Sequence, residues 1–346
     1  MKHIIYLTTF AILLMIGCSK PSPAPAPEQI DGYIFFSHDV ETKASLINDK
    51  ADLKDKNIGV VGFKYPNTTD WATYVATTPA PTPNVFYDDN GSLAYTESVT
   101  CDESGNGTYA PLQGWANSKK YTFFAYYPAD MPLYNTDGSN YTGGVPCIKY
   151  SLNEESLTKS SMMDVMTSTP HVGLHQGGNI ALSFNHCLAA LGVKVKNSSE
   201  GTIKVKSITW TLDGLKYKDV LIPLNGTTET KIPGSFSSSL SKIITTKQNV
   251  EFAPLAEDIC PEKLLLIPQT ESLTISFDIT FIRKAISETN EISVSVPLDP
   301  TTLTTDLVKG KQHLIHLNFT DNKVEVNGSV TESEWAETYD VPSTFN

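Results

Sequence analysis

Residues 273–281 read LTISFDITF. Leu273, Ile275, Phe277, Ile279 and Phe281 alternate with Thr274, Ser276, Asp278 and Thr280. A helix would scatter this period-two pattern around its circumference, whereas an extended strand places all five apolar side chains on one face. The same alternation recurs on both sides. Ile292, Val294, Val296 and Leu298 carry it, as do His313, Ile315, Leu317 and Phe319. Upstream, Ile180, Leu182 and Phe184 lead into Leu191, Val193 and Val195, with Lys194 and Lys196 on the opposite face. Each segment predicts a strand with one buried face and one wet face. One segment slips phase: Ile203 and Val205 are odd, Ile208, Trp210 and Leu212 even. One inserted residue near Lys206-Ser207 keeps all five on the core side, which is a β-bulge.

Helical patterns are scarce. Leu46–Lys56 and Ser156–Met166 suit short helices. Turn signals are dense, including Asp89-Asn90-Gly91, Asp137-Gly138, Asp213-Gly214 and Asn225-Gly226. Many strands, dense turns and few helices predict an all-β protein built of β-sandwiches. The N-terminal half supplies its own strands at Tyr33–Phe36, Ile58–Phe63 and Tyr121–Tyr127, with Asn67–Pro83 read as a long exposed loop. Pro170, Gly173, Gly177 and Gly178 cluster between the halves. The expected division is an N-terminal β-sandwich over 31–168 and a C-terminal one over 169–346.

The first residues address the chain to an export route. Met1, Lys2 and His3 are followed by an apolar run, Ile4 to Ile16, and then Gly17-Cys18. This is the layout of a secretory signal over residues 1–17, and the apolar core is too short to span a bilayer. Met15-Ile16-Gly17-Cys18 resembles a bacterial lipobox, with Met15 in the usual leucine position. That resemblance implies acylation of Cys18. Residues 18–30 read as a Pro-rich tether, with four prolines between Ser19 and Glu28. Extended at about 3.1 Å per residue, such a stalk holds a folded body roughly 30 Å from its anchor.

The net charge of −12 argues against nucleic acid as a partner. Beyond Cys18 the cysteines are Cys101, Cys147, Cys187 and Cys260. An oxidising compartment permits disulfides, and four cysteines allow three pairings. Buried free thiols are the simpler reading. No catalytic constellation stands out, and neither a metal nor a cofactor is expected. His171 and His175 have helical metal-ligand spacing, but the glycines around them favour a loop. Neighbouring His186 and Cys187 point apart on a strand, so His186 reads as a core or hydrogen-bonded histidine. Asp88-Asp89-Asn90 reads as a turn before a calcium ligand. Glu251 and Asp278 give no sign of pairing as a glycosidase would require. The chain is read as a non-enzyme.

Several segments together resemble the fimbrillin family, the type V pilins and related lipoproteins of Gram-negative anaerobes. Ile34-Phe35-Phe36 followed by Thr42-Lys43-Ala44 is similar to that family's opening strand and its T-(K/R)-A step. Trp115 before Tyr121-Thr122-Phe123-Phe124-Ala125-Tyr126-Tyr127-Pro128 is similar to its W…Y-x-F-x-A-Y-x-P strand. Asp164-Val165-Met166 and Leu182-Ser183-Phe184-Asn185-His186 resemble its D-(L/V)-M…L-x-F-x-H pairing. Val324-Glu325-Val326 and Trp335 resemble its closing strand and terminal Trp. The resemblance spans nearly the whole chain.

It implies transthyretin-like, Greek-key sandwiches and a lipid-anchored outer-membrane or fimbrial location, with other fimbrial subunits as partners and adhesion to a host or bacterial surface as the output. It also implies assembly by strand exchange: a protease removes the opening strand, and a C-terminal strand of the next subunit fills the groove. Trp335, Tyr339, Val341 and Phe345 are all odd-numbered and share one face of an extended tail, as a donor strand requires. The alternative is that this tail completes its own domain. One departure concerns processing. Stalk-forming relatives are commonly cut after arginine, yet Arg283 is the chain's only arginine and lies within a strand pattern. Either Lys43 or a nearby lysine is the processing site, or the opening strand stays and the chain is an anchor or accessory subunit. The rival function is a monomeric glycan-binding surface lipoprotein. Its candidate contacts are Trp71, Tyr74, Phe86 and Tyr87, unless these aromatics pack on their own domain.

The anchor is tested directly. Cys18→Ala is expected to move the protein from the membrane fraction to a soluble one, and the wild-type intact mass should carry two or three acyl chains. An unmodified Cys18 would sink the lipoprotein reading.

Overall fold

The computed structural model describes residues 30–40, 49–152, 163–174, 178–234, 240–244, 251–259, 263–284, 292–303, 306–320 and 324–334. The chain is all-β as its alternation predicts, and its strands form three connected parts.

In the first part the sheet closes on itself. Lys119–Tyr127 pairs with Asn57–Pro66, which pairs with Glu97–Cys101, then Asn106–Thr108, Phe36–Val40, Ile180–His186 and Met166–Ser168. Met166–Ser168 returns to Lys119–Tyr127 through Met166 opposite Tyr127 and Thr167 opposite Tyr126. The seven strands therefore make a barrel-like ring, more closed than two facing sheets. His171–Leu174 pairs further along Lys119–Tyr127. Every contact around the ring is antiparallel except one, Phe36–Val40 beside Ile180–His186. The interior holds Phe36, Ile58, Val60, Tyr121, Phe123, Ala125, Leu182 and Phe184, all buried.

The second part is a four-stranded sheet in the order Leu133–Tyr134, Cys147–Ser151, Tyr217–Pro223, Thr230–Pro233. Its middle pair, Cys147–Ser151 with Tyr217–Pro223, joins the two halves of the sequence.

The third part is a sandwich. One sheet centres on Ala189–Asn197, parallel to Lys311–Phe319, with Val324–Glu334 outside it. The other centres on Thr202–Asp213 and Leu273–Lys284, with Ile292–Leu303 outside. The bulge expected near Lys206-Ser207 is present: the register steps from Val205 opposite Phe281 to Ser207 opposite Thr280. Ile203, Val205, Ile208 and Leu212 are all buried as a result. The side chain of Trp210 lies outside the described residues.

These pairings move the expected boundary. Ile180–His186 was assigned to the C-terminal domain that begins at 169, but it is a wall of the N-terminal ring. Its Ile180, Leu182 and Phe184 find their buried partners on Phe36–Val40 and across the barrel, not in the sandwich. Of the Gly/Pro cluster, Pro170 precedes and Gly173 lies within the strand His171–Leu174, and Gly178 leads into Ile180–His186.

The segment Asn67–Pro83 is not wholly an exposed loop either. Trp71–Val75 is a short helix, capped by Asp70, whose carboxylate accepts from the Thr73 N–H at 2.7 Å. It lays Trp71 against Phe63 and Phe124, and Tyr74 against Tyr65. Of the two expected helices, the first is a 3-10 turn at Lys50–Leu53. Most of the second lies outside the described residues.

Phe277 is buried within the sandwich, while Ser276 on the opposite face is partly exposed. Phe277→Ala is expected to destabilise by roughly 3–5 kcal/mol, the usual cost of truncating a core Phe. Ser276→Ala should change stability by less than about 0.5 kcal/mol. Denaturant titration measures both, and equal losses would refute the register.

Candidate functional site

The opening segment is the part of the ring that the chain reaches first. Ile30–Tyr33 pairs with Gly114–Ala116. The chain then enters the wall, where Phe36–Val40 sits between Asn106–Thr108 and Ile180–His186. Alternation decides what it buries. Ile34, Phe36, His38 and Val40 point inward and are at most 6% exposed, while Tyr33 and Phe35 point outward, 55% and 42% exposed. Phe36 sits in an aromatic cage, with ring centres of Phe123, Tyr109 and Phe86 at 5.5, 5.7 and 6.3 Å. The Tyr109 hydroxyl donates to the Ile34 carbonyl at 2.8 Å. Backbone bonds hold both edges: Ile34 N–H donates to Gln113 O, His38 N–H to Gly105 O, and Ile180 N–H to Phe35 O.

The strand is thus a plug with two hydrogen-bonded edges and one apolar face. Its three apolar inward side chains contribute about 5–9 kcal/mol gross, at about 1.5–3 kcal/mol each. Taking it out leaves a groove whose edges are unpaired backbone, a ready template for another strand.

One groove wall is pinned by a buried pair. Asp164 Oδ1 lies 2.9 Å from His186 Nδ1, with both side chains almost wholly buried. Asp164 leads into Met166–Ser168, and Met166 stands opposite His186 in the closing pair of strands. The D-V-M and L-x-F-x-H segments therefore meet as the family resemblance implies.

The other sequence-predicted residues fall out as follows. Cys18, Lys43, Cys260, Trp335, Tyr339, Val341 and Phe345 lie outside the described residues. The last described strand, Val324–Glu334, ends one residue before Trp335 and pairs among the described residues only with Lys311–Phe319. Among the glycan candidates, Phe86 is fully buried in the cage around Phe36 and has no face to offer a sugar. Trp71 and Tyr74 are half-buried, their rings taken up by Phe63 and Tyr65. Tyr87 is partly exposed. His171 lies on a strand and His175 outside the described residues. Asp88 Oδ1 accepts from the Asn90 and Ser92 N–H groups, a self-contained turn. His38 and Tyr109 were missed, although the parity of His38 with Phe36 and Val40 was available to find it.

Cys101, Cys147 and Cys187 are free and buried. Burial pushes their thiols up, to about 12, 11 and 11. A thiol held so far above neutrality supplies almost no thiolate.

With the geometry in place, the comparisons identify the class. The structure shares its fold with a fimbrial protein from Bacteroides vulgatus, at TM-score 0.62 and 19% identity, over 88% of this chain and 100% of that one. A candidate cell-adhesion protein from Bacteroides ovatus also matches, at TM-score 0.51 and 13% identity, over 89% of this chain and 99% of that one. The fold is therefore one shared with a fimbrial protein and a candidate cell-adhesion protein. No curated relative matches the chain. The chain belongs to the fimbrillin-like family, whose model matches residues 42–335.

Native protein treated with iodoacetamide near neutral pH should leave Cys101, Cys147 and Cys187 unlabelled, and all three should react once the chain is unfolded. Peptide mass mapping reads the result, and rapid native labelling at any of them would contradict its burial.

Proposed function

We propose that this chain is a structural or accessory subunit of fimbriae, lipid-anchored through Cys18 during export, which joins its neighbours by β-strand complementation and serves cell adhesion. The observation that carries this reading is the place of the opening strand. Phe36–Val40 is an internal strand of a closed ring, yet it lies at the chain's N-terminal side and is bonded to its neighbours by backbone contacts that any strand can make. Removing it cuts no crossover and leaves the other six strands in sequence around an open groove. The donor is the segment from Trp335 to Phe345 of the next subunit, which follows directly on the strand Val324–Glu334. Proteolysis at or near Lys43 frees the groove in a stalk subunit, and a chain that keeps its opening strand ends the polymer as an anchor.

Truncation after Glu334 tests the assembly. The shortened chain is expected to keep its melting temperature within about 2 °C, a change of no more than about 1 kcal/mol, and to be absent from filaments. A drop of several degrees with exposed apolar surface would mean that the tail completes its own sandwich. N-terminal sequencing of the protein from isolated filaments then separates the roles. A start at or after Lys43 marks a processed stalk subunit, and a retained Cys18 marks an anchor.

A further inference from the structure

The inward face of the opening strand reads Ile34, Phe36, His38, Val40, and one of the four does not suit its surroundings. His38 is 4% exposed, and neither Nδ1 nor Nε2 completes a hydrogen bond, although the Asn106 and Asp102 backbones lie near enough to draw on the ring. An imidazole always carries at least one N–H, and burying it unpaired costs free energy that an apolar side chain would not. The neighbouring elements compensate only in part. Leu182 stands beside it on the parallel strand. Across the other edge, the Asp102 carboxylate acts on the ring through space, but it already accepts from Ser104 N–H, Asn106 N–H and the Asn106 side-chain amide. Asp39, on the same strand, is exposed and accepts from the Val40 N–H. On the 3-10 turn packed against the strand, Asp49 and Asp52 cap the turn itself, and Lys50 lies over Gly105 beside the His38 carbonyl. Cys101, on the next strand, is buried and neutral.

We infer that His38 makes the opening strand a provisional plug, displaced by a donor strand that presents an apolar side chain at this position. The inference rests on strand complementation as proposed above and adds a specification of the partner. The incoming strand runs beside Ile180–His186, puts an aromatic ring into the cage of Phe86, Tyr109 and Phe123, and puts an aliphatic or aromatic group, not a polar one, where His38 sits. Once cleavage near Lys43 has untethered the strand from the body, the placeholder loses to the donor by its poorer side-chain fit.

The same residue makes the plug acid-sensitive. Burial holds the His38 ring below its ordinary value, against the opposing pull of Asp102, the Asn106 backbone, Asp39 and the Asp102 backbone. A histidine lowered in the folded state favours folding fully above the unfolded value near 6.5, and that contribution falls as pH drops from there towards the folded value. Acid therefore loosens the strand.

Hydrogen exchange read by mass spectrometry on the intact chain tests this. At about pH 7.5, His38→Leu should raise the protection of the Ser37–Val40 amides roughly tenfold over wild type, leaving Ala189–Asn197 unchanged. At about pH 5.5, after correction for intrinsic exchange, protection of the segment should fall in wild type and hold in the variant. His38→Met, with a more adaptable side chain, covers imperfect packing of Leu. If neither variant gains protection, the provisional-plug inference is wrong. In assembly, His38→Leu should form filaments several-fold more slowly than wild type, and equal rates would also overturn it. A wild-type chain that never assembles removes the complementation reading and the partner specification with it. The protection result stands apart from assembly and judges the misfit of His38 by itself.

Discussion

The structure depends on one pair of strands that is buried on both faces. Asn57–Pro66 and Lys119–Tyr127 run antiparallel in register from Gly59 opposite Tyr126 to Pro66 opposite Lys119. On one side Ile58, Val60, Tyr121, Phe123 and Ala125 fill the ring. On the other, Val61, Phe63, Tyr65, Phe124 and Tyr126 join the hydrophobic cluster that runs through the bridging sheet into the sandwich. Two glycines make this crowding possible. A Cβ on Gly59 would meet the Tyr126 ring at 2.4 Å, and one on Gly62 would meet Val85 at 2.8 Å. Neither neighbour is the free end of a flexible chain, so the wall between the two cores admits no side chain at these points.

Because that wall serves both cores, the two halves are not independent beads on a string. The second cluster takes residues from the ring strands, from Cys147–Ser151 and from the sandwich alike. Cys147–Ser151 and Tyr217–Pro223 then stitch the halves with backbone bonds. A subunit of a pulled filament has to carry force from one end to the other. A shared core with a shared sheet resists that load better than a flexible linker, because separation must break hydrogen bonds and expose apolar surface together.

Ring closure solves the edge problem of an open sheet and at the same time creates the site. Each strand in the ring has two partners, so no long edge invites aggregation. The opening strand is the one member whose loss leaves the rest of the chain continuous. Its outward residues Tyr33 and Phe35, with Val172 and Leu174, are among the large apolar side chains the body leaves exposed. The inward face is apolar but for His38, so its hold on the groove is strong without being the best available. The same four side chains therefore decide how firmly the opening strand holds in the ring.

Much of this was legible in the chain itself. Period-two alternation marked the strands at 180–186, 189–197, 273–284 and 311–319. The phase slip located the bulge at Lys206, because facing the core is a local, repeating demand on side chains. The order of aromatic and D-V-M…L-x-F-x-H segments pointed to the family. Alternation states which residues share a face, but not which strand lies beside which. The parallel pairing of Phe36–Val40 with Ile180–His186, closure through Met166–Ser168, and the bridging sheet all join residues far apart in sequence. Those choices placed Ile180–His186 in the ring rather than across the boundary, sank Phe86 into the cage, and buried His38 on an otherwise apolar face. Each is a consequence of long-range packing, where the gain is shared among many side chains and no short stretch of sequence carries it alone.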